Sequence, residues 1–277
     1  MTQKKDQGEV GACVAFAWSF VIDFLINQGA SFYQYFDHSP RFIYSRRANA
    51  PGEGMDNRDA ADITLNLGDC LESLCPGIWY GITNADQICG SGTDSIMQDA
   101  LTARTKSYAR CYNTSDMMQA IYQIAPIVWG GPVFESWVTA PATNTGVIPM
   151  PGPNDSEIGG HDICVDGWTA DGYLEFITPW WLIPKVKPWG DGCFGKLPLA
   201  YADMFLSDGE ADSFSATPRP PGPQPPKPKT CIEKFDACQD DFLTCLANLI
   251  LCYLGFGKPT GRQVTQMKKK LNQLGVK

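Results

Sequence analysis

A proline-rich segment divides this chain of 277 residues. Residues 217–229 contain seven prolines. Because proline fixes φ and lacks a backbone N–H, this segment cannot continue through a helix or a central strand. At ~3.1 Å per residue in a polyproline conformation it would extend over about 40 Å. We therefore predict three parts: a domain over 1–210, an extended linker over 211–230 and a C-terminal module over 231–277.

The first part changes from a helical to a strand-like pattern along its length. Apolar residues at helical spacing predict helices over 13–28, 57–67, 94–104 and 115–124. From residue 126 onward, apolar runs between Gly and Pro turns predict strands over 126–129, 163–165 and 173–177. Helices followed by strands are typical of the α+β fold class.

The first predicted helix begins at Cys13, directly after a glycine-containing turn. A helix N-terminus presents unpaired N–H groups and a partial positive charge, and both lower the pKa of a thiol. Cys13 is therefore a candidate nucleophile, and Gln7 just before it is a candidate amide donor for an oxyanion. The chain has two histidines as candidate bases. His161 precedes a strand-like run and is the better candidate, whereas His38 precedes a polar turn and is expected at the surface.

These residues and several further fragments resemble the papain-like cysteine peptidases of the C1 family. The similar fragments are Asp6-Gln7-Gly8, Gly11-Ala12-Cys13 and residues 39–44, 68–76, 146–149 and 172–174. Their order and spacing cover residues 6–206 and are most similar to bacterial and phage-type members that lack a propeptide. The resemblance implies a two-lobed fold with a helical N-terminal lobe and a β-barrel-like C-terminal lobe. It places Cys13 on the helical wall of the cleft and His161 on the β wall.

The chain departs from the family pattern at three positions. Thr178 stands where the family has the asparagine that orients the histidine, within Thr178-Pro179-Trp180. A threonine hydroxyl can accept the same hydrogen bond from an imidazole, although with a shorter reach, and Trp180 would shield that bond from water. Val14 replaces an aromatic residue after the nucleophile, and Asp162 replaces a small residue after the histidine.

The resemblance implies a thiol peptidase acting on a peptide or protein substrate. Cys13 would attack the carbonyl, Gln7 and the Cys13 backbone N–H would stabilise the oxyanion, His161 would move the proton, and Thr178 would orient His161. Two alternatives remain open. One is a catalytically weak or inactive papain-like scaffold in an assembly, for example a component of a virion. The other is a cysteine-dependent acyl transferase.

The C-terminal module carries a repeating cysteine pattern. Its four cysteines occur every seven residues, each followed four residues later by a large apolar residue: Cys231, Cys238, Cys245 and Cys252, with Phe235, Phe242, Leu249 and Phe256. On a helix these eight side chains form one stripe, with successive cysteines about 10 Å apart and unable to pair with each other. A second helix is predicted over 261–274. The pattern indicates a helical hairpin with a cysteine-lined core, self-association or docking to a protein partner, or lipidation and membrane contact. We expect a partner or a second copy at 231–277.

Composition and the absence of other motifs limit the kinds of partner and cofactor that we expect this chain to bind. The net charge of −8 argues against nucleic acid as a partner. The chain has no long Gly-rich phosphate loop, no Cys-x-x-Cys pair and no His-Glu-x-x-His motif, so we expect neither a cofactor nor a metal. The apolar run over 243–256 is too short to span a bilayer. Residues 1–6 lead into no apolar signal segment, which predicts cytoplasmic synthesis, whereas eleven cysteines would suit an oxidising compartment.

Overall fold

The computed structural model of the protein describes residues 5–28, 35–182, 187–218 and 261–273. The chain divides into two units, Met1–Gly222 and Pro223–Lys277. This division falls inside the segment predicted to be a linker. Within the described ranges, no helix combines the length and the apolar character needed to cross a membrane.

The first unit contains seven α-helices in its described residues: α1 Cys13–Asn27, α2 Pro40–Tyr44, α3 Asn57–Asn66, α4 Ser95–Ala100, α5 Thr114–Gln123, α6 Ala142–Thr145 and α7 Leu199–Asp208. Its strands are β1 Thr105–Arg110, β2 Ile127–Phe134, β3 Glu157–Trp168, β4 Tyr173–Ile177, β5 Trp181–Leu182, β6 Lys187–Pro188, β7 Phe194–Pro198 and β8 Asp212–Pro218. The four helices and three strands predicted in this part are confirmed, although β2 and β3 are considerably longer than predicted and α4 ends at Ala100, before a short 3-10 turn. Helices α2, α6 and α7 and strands β1 and β5–β8 were not predicted.

Six strands form one sheet in the order β1-β8-β2-β3-β4-β7, and every neighbouring pair is antiparallel. Strands β5 and β6 form a separate two-stranded sheet. Helices precede most of the strands, so the predicted α+β class is confirmed.

The large sheet separates two hydrophobic cores. Val128 of β2 and Cys164 of β3 pack with α1 in the first core. Their neighbours in sequence, Trp129 of β2 and Ile163 of β3, pack with α5 and α7 in the second core. Successive residues of a strand point to opposite faces, so both faces of these central strands are apolar and buried. Helix α1 therefore lies directly on the face of the sheet that Cys164 presents.

Strand β8 corrects the predicted start of the linker. Residues 212–218 pair with β1 along the whole strand, and Asp212 to Ser215 also pair with β2. After Ser215, β8 is paired with β1 but no longer with β2. Pro218 lacks an N–H, but at this position no hydrogen bond to β2 is lost. The first domain therefore extends past residue 210, and the first two residues of the proline-rich segment belong to the sheet.

His38 is buried, which corrects its expected place at the surface. The Asp23 carboxylate of α1 lies 2.9 Å from Nδ1 of His38. The same carboxylate accepts a hydrogen bond of 2.8 Å from the backbone N–H of His38. The same carboxylate lies 2.9 Å from the ammonium of Lys5, which also contacts Asp37 at 3.0 Å. Lys5 further donates to Ser19 Oγ at 2.7 Å. This buried cluster fixes the chain before α1 against the side of that helix.

The cysteines of the first unit are mostly reduced. Cys75 and Cys89 form a disulfide. The free cysteines among the described residues are Cys13, Cys70, Cys111, Cys164 and Cys193. The core of this unit therefore contains buried thiols that pack as small apolar side chains.

In the second unit the structure describes one helix, α8 Gly261–Gln273, which confirms the helix predicted over 261–274. Leu271 is buried and Met267, one turn earlier, is partly buried, whereas Lys269 and Lys270 are exposed. The predicted cysteine stripe lies outside the described residues, and the docking role of this module stays a prediction.

Replacing Lys5 tests the buried ion pair. Lys5→Met keeps most of the side-chain volume and leaves Asp23 buried without its cation. We expect the free energy of unfolding to fall by about 3–5 kcal/mol, the range for breaking one partner of a buried pair. Urea denaturation measures the free energy of unfolding of Lys5→Met. The control is Lys106→Met, which removes a lysine from an exposed position on β1. Equal losses in both variants would contradict the prediction.

Candidate active site

Cys13 is the first residue of α1 and is partly exposed. The residue that precedes it, Ala12, provides no side-chain cap, so the first N–H groups of α1 are not used by a capping side chain. The backbone N–H groups of Cys13, Val14 and Asp162 all lower the pKa of the thiol. The sulfur therefore lies between the start of α1 and the main chain of β3 at Asp162, the residue after His161.

His161 lies on β3 and is almost completely buried. Its Nε2 atom forms a hydrogen bond of 2.7 Å with the hydroxyl oxygen of Thr178, which follows β4. The imidazole is stacked on the indole of Trp180, with the ring centroids 3.9 Å apart and the planes at 24°. Strands β3 and β4 are paired, so the sheet itself brings Thr178 to His161. The bond occupies Nε2 and leaves Nδ1 as the other nitrogen for proton transfer.

Gln7 lies in the turn before α1 and is buried. Its backbone N–H donates to the carbonyl of Pro179 at 3.0 Å, which ties this turn to the loop carrying Thr178. Its side-chain Nε2 donates to the carbonyl of Val10 at 3.0 Å. An amide nitrogen has two hydrogens, so this bond fixes the orientation of the side chain and leaves one donor.

Asp162 is the residue whose importance the sequence did not reveal. In β3 it alternates with His161 and shares the face of Cys164, which packs with α1. Its Oδ1 atom is buried and has no hydrogen-bond partner in the described part of the chain. Opposite it in the sheet lies Gly130, where a Cβ atom would collide with the Asp162 carboxyl group. A charged residue inside an apolar strand was the signal in the sequence, but only the pairing shows what surrounds it.

The protonation of the site differs from the expectation at the sequence level. Burial raises the pKa of Cys13 to about 12; the charge of the nearby Asp162 also raises it, whereas the backbone N–H groups lower it. Burial also lowers the pKa of His161 to about 3. The expected low thiol pKa is therefore wrong, because desolvation outweighs the helix N-terminus. At neutral pH the resting pair is a thiol and a neutral imidazole.

Asp162 titrates close to physiological pH. Burial raises the pKa of its carboxyl group to about 8, and the carboxylates of Asp212 and Asp56 contribute to the same shift. No group of three or more histidine, cysteine or acidic side chains within the described residues is arranged to hold a metal ion.

Comparison with known structures identifies the fold. Xylellain, a cysteine protease from Xylella fastidiosa, superposes with a TM-score of 0.65 at 22% identity, over 79% of this chain and 83% of that one. A cysteine protease of Carica candamarcensis in complex with E-64 gives a TM-score of 0.53 at 19% identity, over 79% and 94% of the two chains. This chain has the papain-like cysteine protease fold. The expected architecture is thereby confirmed.

Sequence comparison gives a more limited match. No protein-family model matches the chain. A peptidase C1-like protein of Acanthamoeba polyphaga mimivirus is 30% identical over 120 residues, which are 40% of this chain. The match spans 37% of the length of that relative. The roles assigned to Cys13, His161, Thr178 and Gln7 accordingly stay predictions.

The electrostatic influence of Asp162 on the thiol can be measured directly. Because the pKa of Asp162 is about 8 and that of Cys13 about 12, Asp162 is already charged when the thiol ionises. Asp162→Asn removes this charge, so we expect the thiol pKa to fall and alkylation of Cys13 by iodoacetamide to shift to lower pH. Peptide mass mapping would follow Cys13 alone. Asp166→Asn, on the same strand, is the control, and an identical shift in both variants would contradict the prediction.

Proposed function

We propose that the protein is a thiol peptidase that hydrolyses peptide bonds with Cys13 as nucleophile and His161 as base. The observation that carries the proposal is the set of contacts around His161. The imidazole is held by Thr178 through Nε2 and by Trp180 through stacking, and the backbone N–H of the next residue, Asp162, acts on the thiol of Cys13. The similarity of the fold to cysteine proteases supports the same conclusion.

The reaction follows from these positions. The thiol proton of Cys13 passes to Nδ1 of His161 as the sulfur bonds to the carbonyl carbon of the substrate. The second amide hydrogen of Gln7 and the backbone N–H of Cys13 stabilise the negative oxygen. His161 then donates its proton to the leaving nitrogen as the C–N bond breaks. Water hydrolyses the thioester with His161 as base, which releases the acid and restores the thiol.

Burial of both groups raises the barrier for the first proton transfer. Each charge is unfavourable in this site on its own, since desolvation disfavours the thiolate and the imidazolium separately. Transfer of one proton from sulfur to imidazole creates both charges together, and their attraction in a poorly solvated site offsets part of the desolvation. Catalysis therefore depends on keeping the two groups close and on the correct tautomer of His161.

Thr178 controls that tautomer less strictly than an asparagine would. A hydroxyl group both donates and accepts hydrogen bonds, whereas the oxygen of an amide only accepts. When Nε2–H donates to Thr178, Nδ1 has a free lone pair for the thiol proton. When Thr178 donates instead, the proton is on Nδ1 and His161 cannot act as base. Part of the population is therefore unproductive.

A second candidate function is a catalytically inactive scaffold in an assembly. It is favoured by the neutral resting pair at Cys13 and His161 and by the threonine at position 178. A scaffold would bind its partners without forming a thioester, and Cys13 would then be a partly exposed thiol of no chemical role.

Covalent labelling separates the two candidates. We expect E-64 to add once to the reduced protein, and the adduct to be absent in Cys13→Ala and strongly reduced in His161→Ala, because attack needs both sulfur and base. Intact-mass spectrometry gives the count, and peptide cleavage should be lost in the same variants. Cys111→Ala, at a buried thiol outside the site, should label and cleave normally. A folded wild-type protein that takes no label would favour the scaffold.

Variants of Thr178 test its positioning role. Thr178→Val removes the hydrogen bond at nearly constant volume, and we expect kcat to fall about tenfold or more, which corresponds to ~1.5 kcal/mol. Thr178→Asn should raise kcat because the amide oxygen selects the productive tautomer. Thr178→Ser keeps the hydroxyl and is the control. Unchanged kcat in Thr178→Val would exclude a role for this bond, and KM should stay the same in all three variants.

A further inference from the structure

A cavity of about 520 Å³ lies beside His161 and Asp162. Its wall is formed by β2 at residues 130–132, by β3 at Glu157 and residues 160–162, and by residues 209–212 at the start of β8. Residues 55–57 at the start of α3 and Arg110 of β1 complete it. The volume is in the usual range of ligand pockets, which is roughly 300–1,000 Å³. Because His161 is part of the wall, a ligand in the cavity lies next to the candidate reacting centre.

The cavity wall is strongly acidic. It contains five carboxyl groups: Asp56, Glu157, Asp162, Glu210 and Asp212. The single cation in this wall, Arg110, donates to the carbonyl of Ala211 at 3.5 Å. An excess of carboxylates in a partly enclosed space attracts cations and repels anions.

Two of these carboxylates are already used by the fold, whereas Asp162 is not. Asp56 accepts hydrogen bonds from the backbone at the start of α3, and Asp212 accepts one of 2.9 Å from Asn57. Oδ1 of Asp162 is buried and without a hydrogen-bond partner among the described residues. A buried polar atom without a partner is unfavourable, so this oxygen has an interaction left to make. A cationic ligand in the cavity would supply it.

The backbone of β2 makes room for this carboxyl group. Gly130 pairs with Asp162 and Gly131 pairs with His161 across the sheet. A side chain at Gly130 would occupy the space of the Asp162 carboxyl group. Gly160 on β3 also contributes no side chain, so the acid is presented to the cavity by a wall of small residues.

We propose that the cavity binds the guanidinium group of an arginine side chain of the substrate, with Asp162 as the residue that selects it. This inference rests on the proposed peptidase function in one respect: that function is the reason to expect the arginine to belong to a peptide substrate. A guanidinium group has several donors in a plane and can bond a carboxylate through two of them, which matches an unpartnered carboxyl group better than a single ammonium does.

Paired peptides that contain arginine or citrulline test the charge without changing the shape. Binding is measured by calorimetry on the Cys13→Ala protein, so that no reaction and no thiol effect intervenes. We expect the arginine peptide to bind at least tenfold more tightly than the citrulline peptide. Asp162→Asn in the same background should bring this ratio close to one. Asp166→Asn, outside the cavity on the same strand, should preserve it.

A second variant covers the case in which Asp162→Asn does not fold. Glu210→Gln changes an exposed residue of the cavity wall, and we expect it to lower the ratio about twofold by weakening the field. Equal binding of the two peptides by the folded Cys13→Ala protein would overturn the inference, as would a ratio that Asp162→Asn leaves unchanged.

The outcomes separate this inference from the proposed function. Cleavage that depends on Cys13 but shows no preference for arginine would overturn the arginine site and leave the peptidase standing. Binding that selects arginine and depends on Asp162, in a protein that neither cleaves peptides nor takes E-64, would support the site and overturn the peptidase.

Discussion

The packing of helix α1 on one face of the central sheet is the interaction on which the site depends. It brings the N-terminus of the helix, with Cys13, to the main chain of β3 at Asp162. The register between β2 and β3, which pairs Gly131 with His161, decides which residues of β3 face that helix. A shift by one residue would exchange the faces and move Asp162 and Cys164 away from α1.

The turn that precedes α1 is held from two sides. Lys5 anchors it to Asp23 on α1, and the backbone N–H of Gln7 anchors it to the loop after β4. Although burial lowers the pKa of Lys5, Asp23 and Asp37 raise it above its usual value, so the lysine is charged and the ion pair persists. The second anchor is the backbone of Gln7 itself, which limits the movement of the Gln7 side chain.

Desolvation sets the protonation of the candidate site. Desolvation favours the neutral forms of Cys13, His161 and Asp162, so the thiol, the imidazole and the carboxyl group are all uncharged at pH 7. A cation in the cavity would favour the ionised form of Asp162 and so change the charge next to the thiol. Under the proposed function, substrate binding and the ionisation of Cys13 would therefore be coupled through Asp162.

The sequence by itself determined the local elements and the chemical groups that start and end them. Helix α3 begins after Asp56 as predicted, because a carboxylate that caps a helix acts within its own turn. Cys13 and His161 were predicted from residue type and position along the chain, and Thr178 from the resemblance to papain-like peptidases; their catalytic roles stay predictions. Strand β8 was assigned to the linker because its pairing partners, β1 and β2, lie far away in sequence.

Only the tertiary structure decided the burial of His38, the protonation of Cys13 and the surroundings of Asp162. Each depends on groups brought from distant positions: Asp23 for His38, Asp162 for Cys13, and Gly130 and Asp212 for Asp162. Desolvation and charge interactions act through space over a few ångströms, so a pattern along the chain does not contain them.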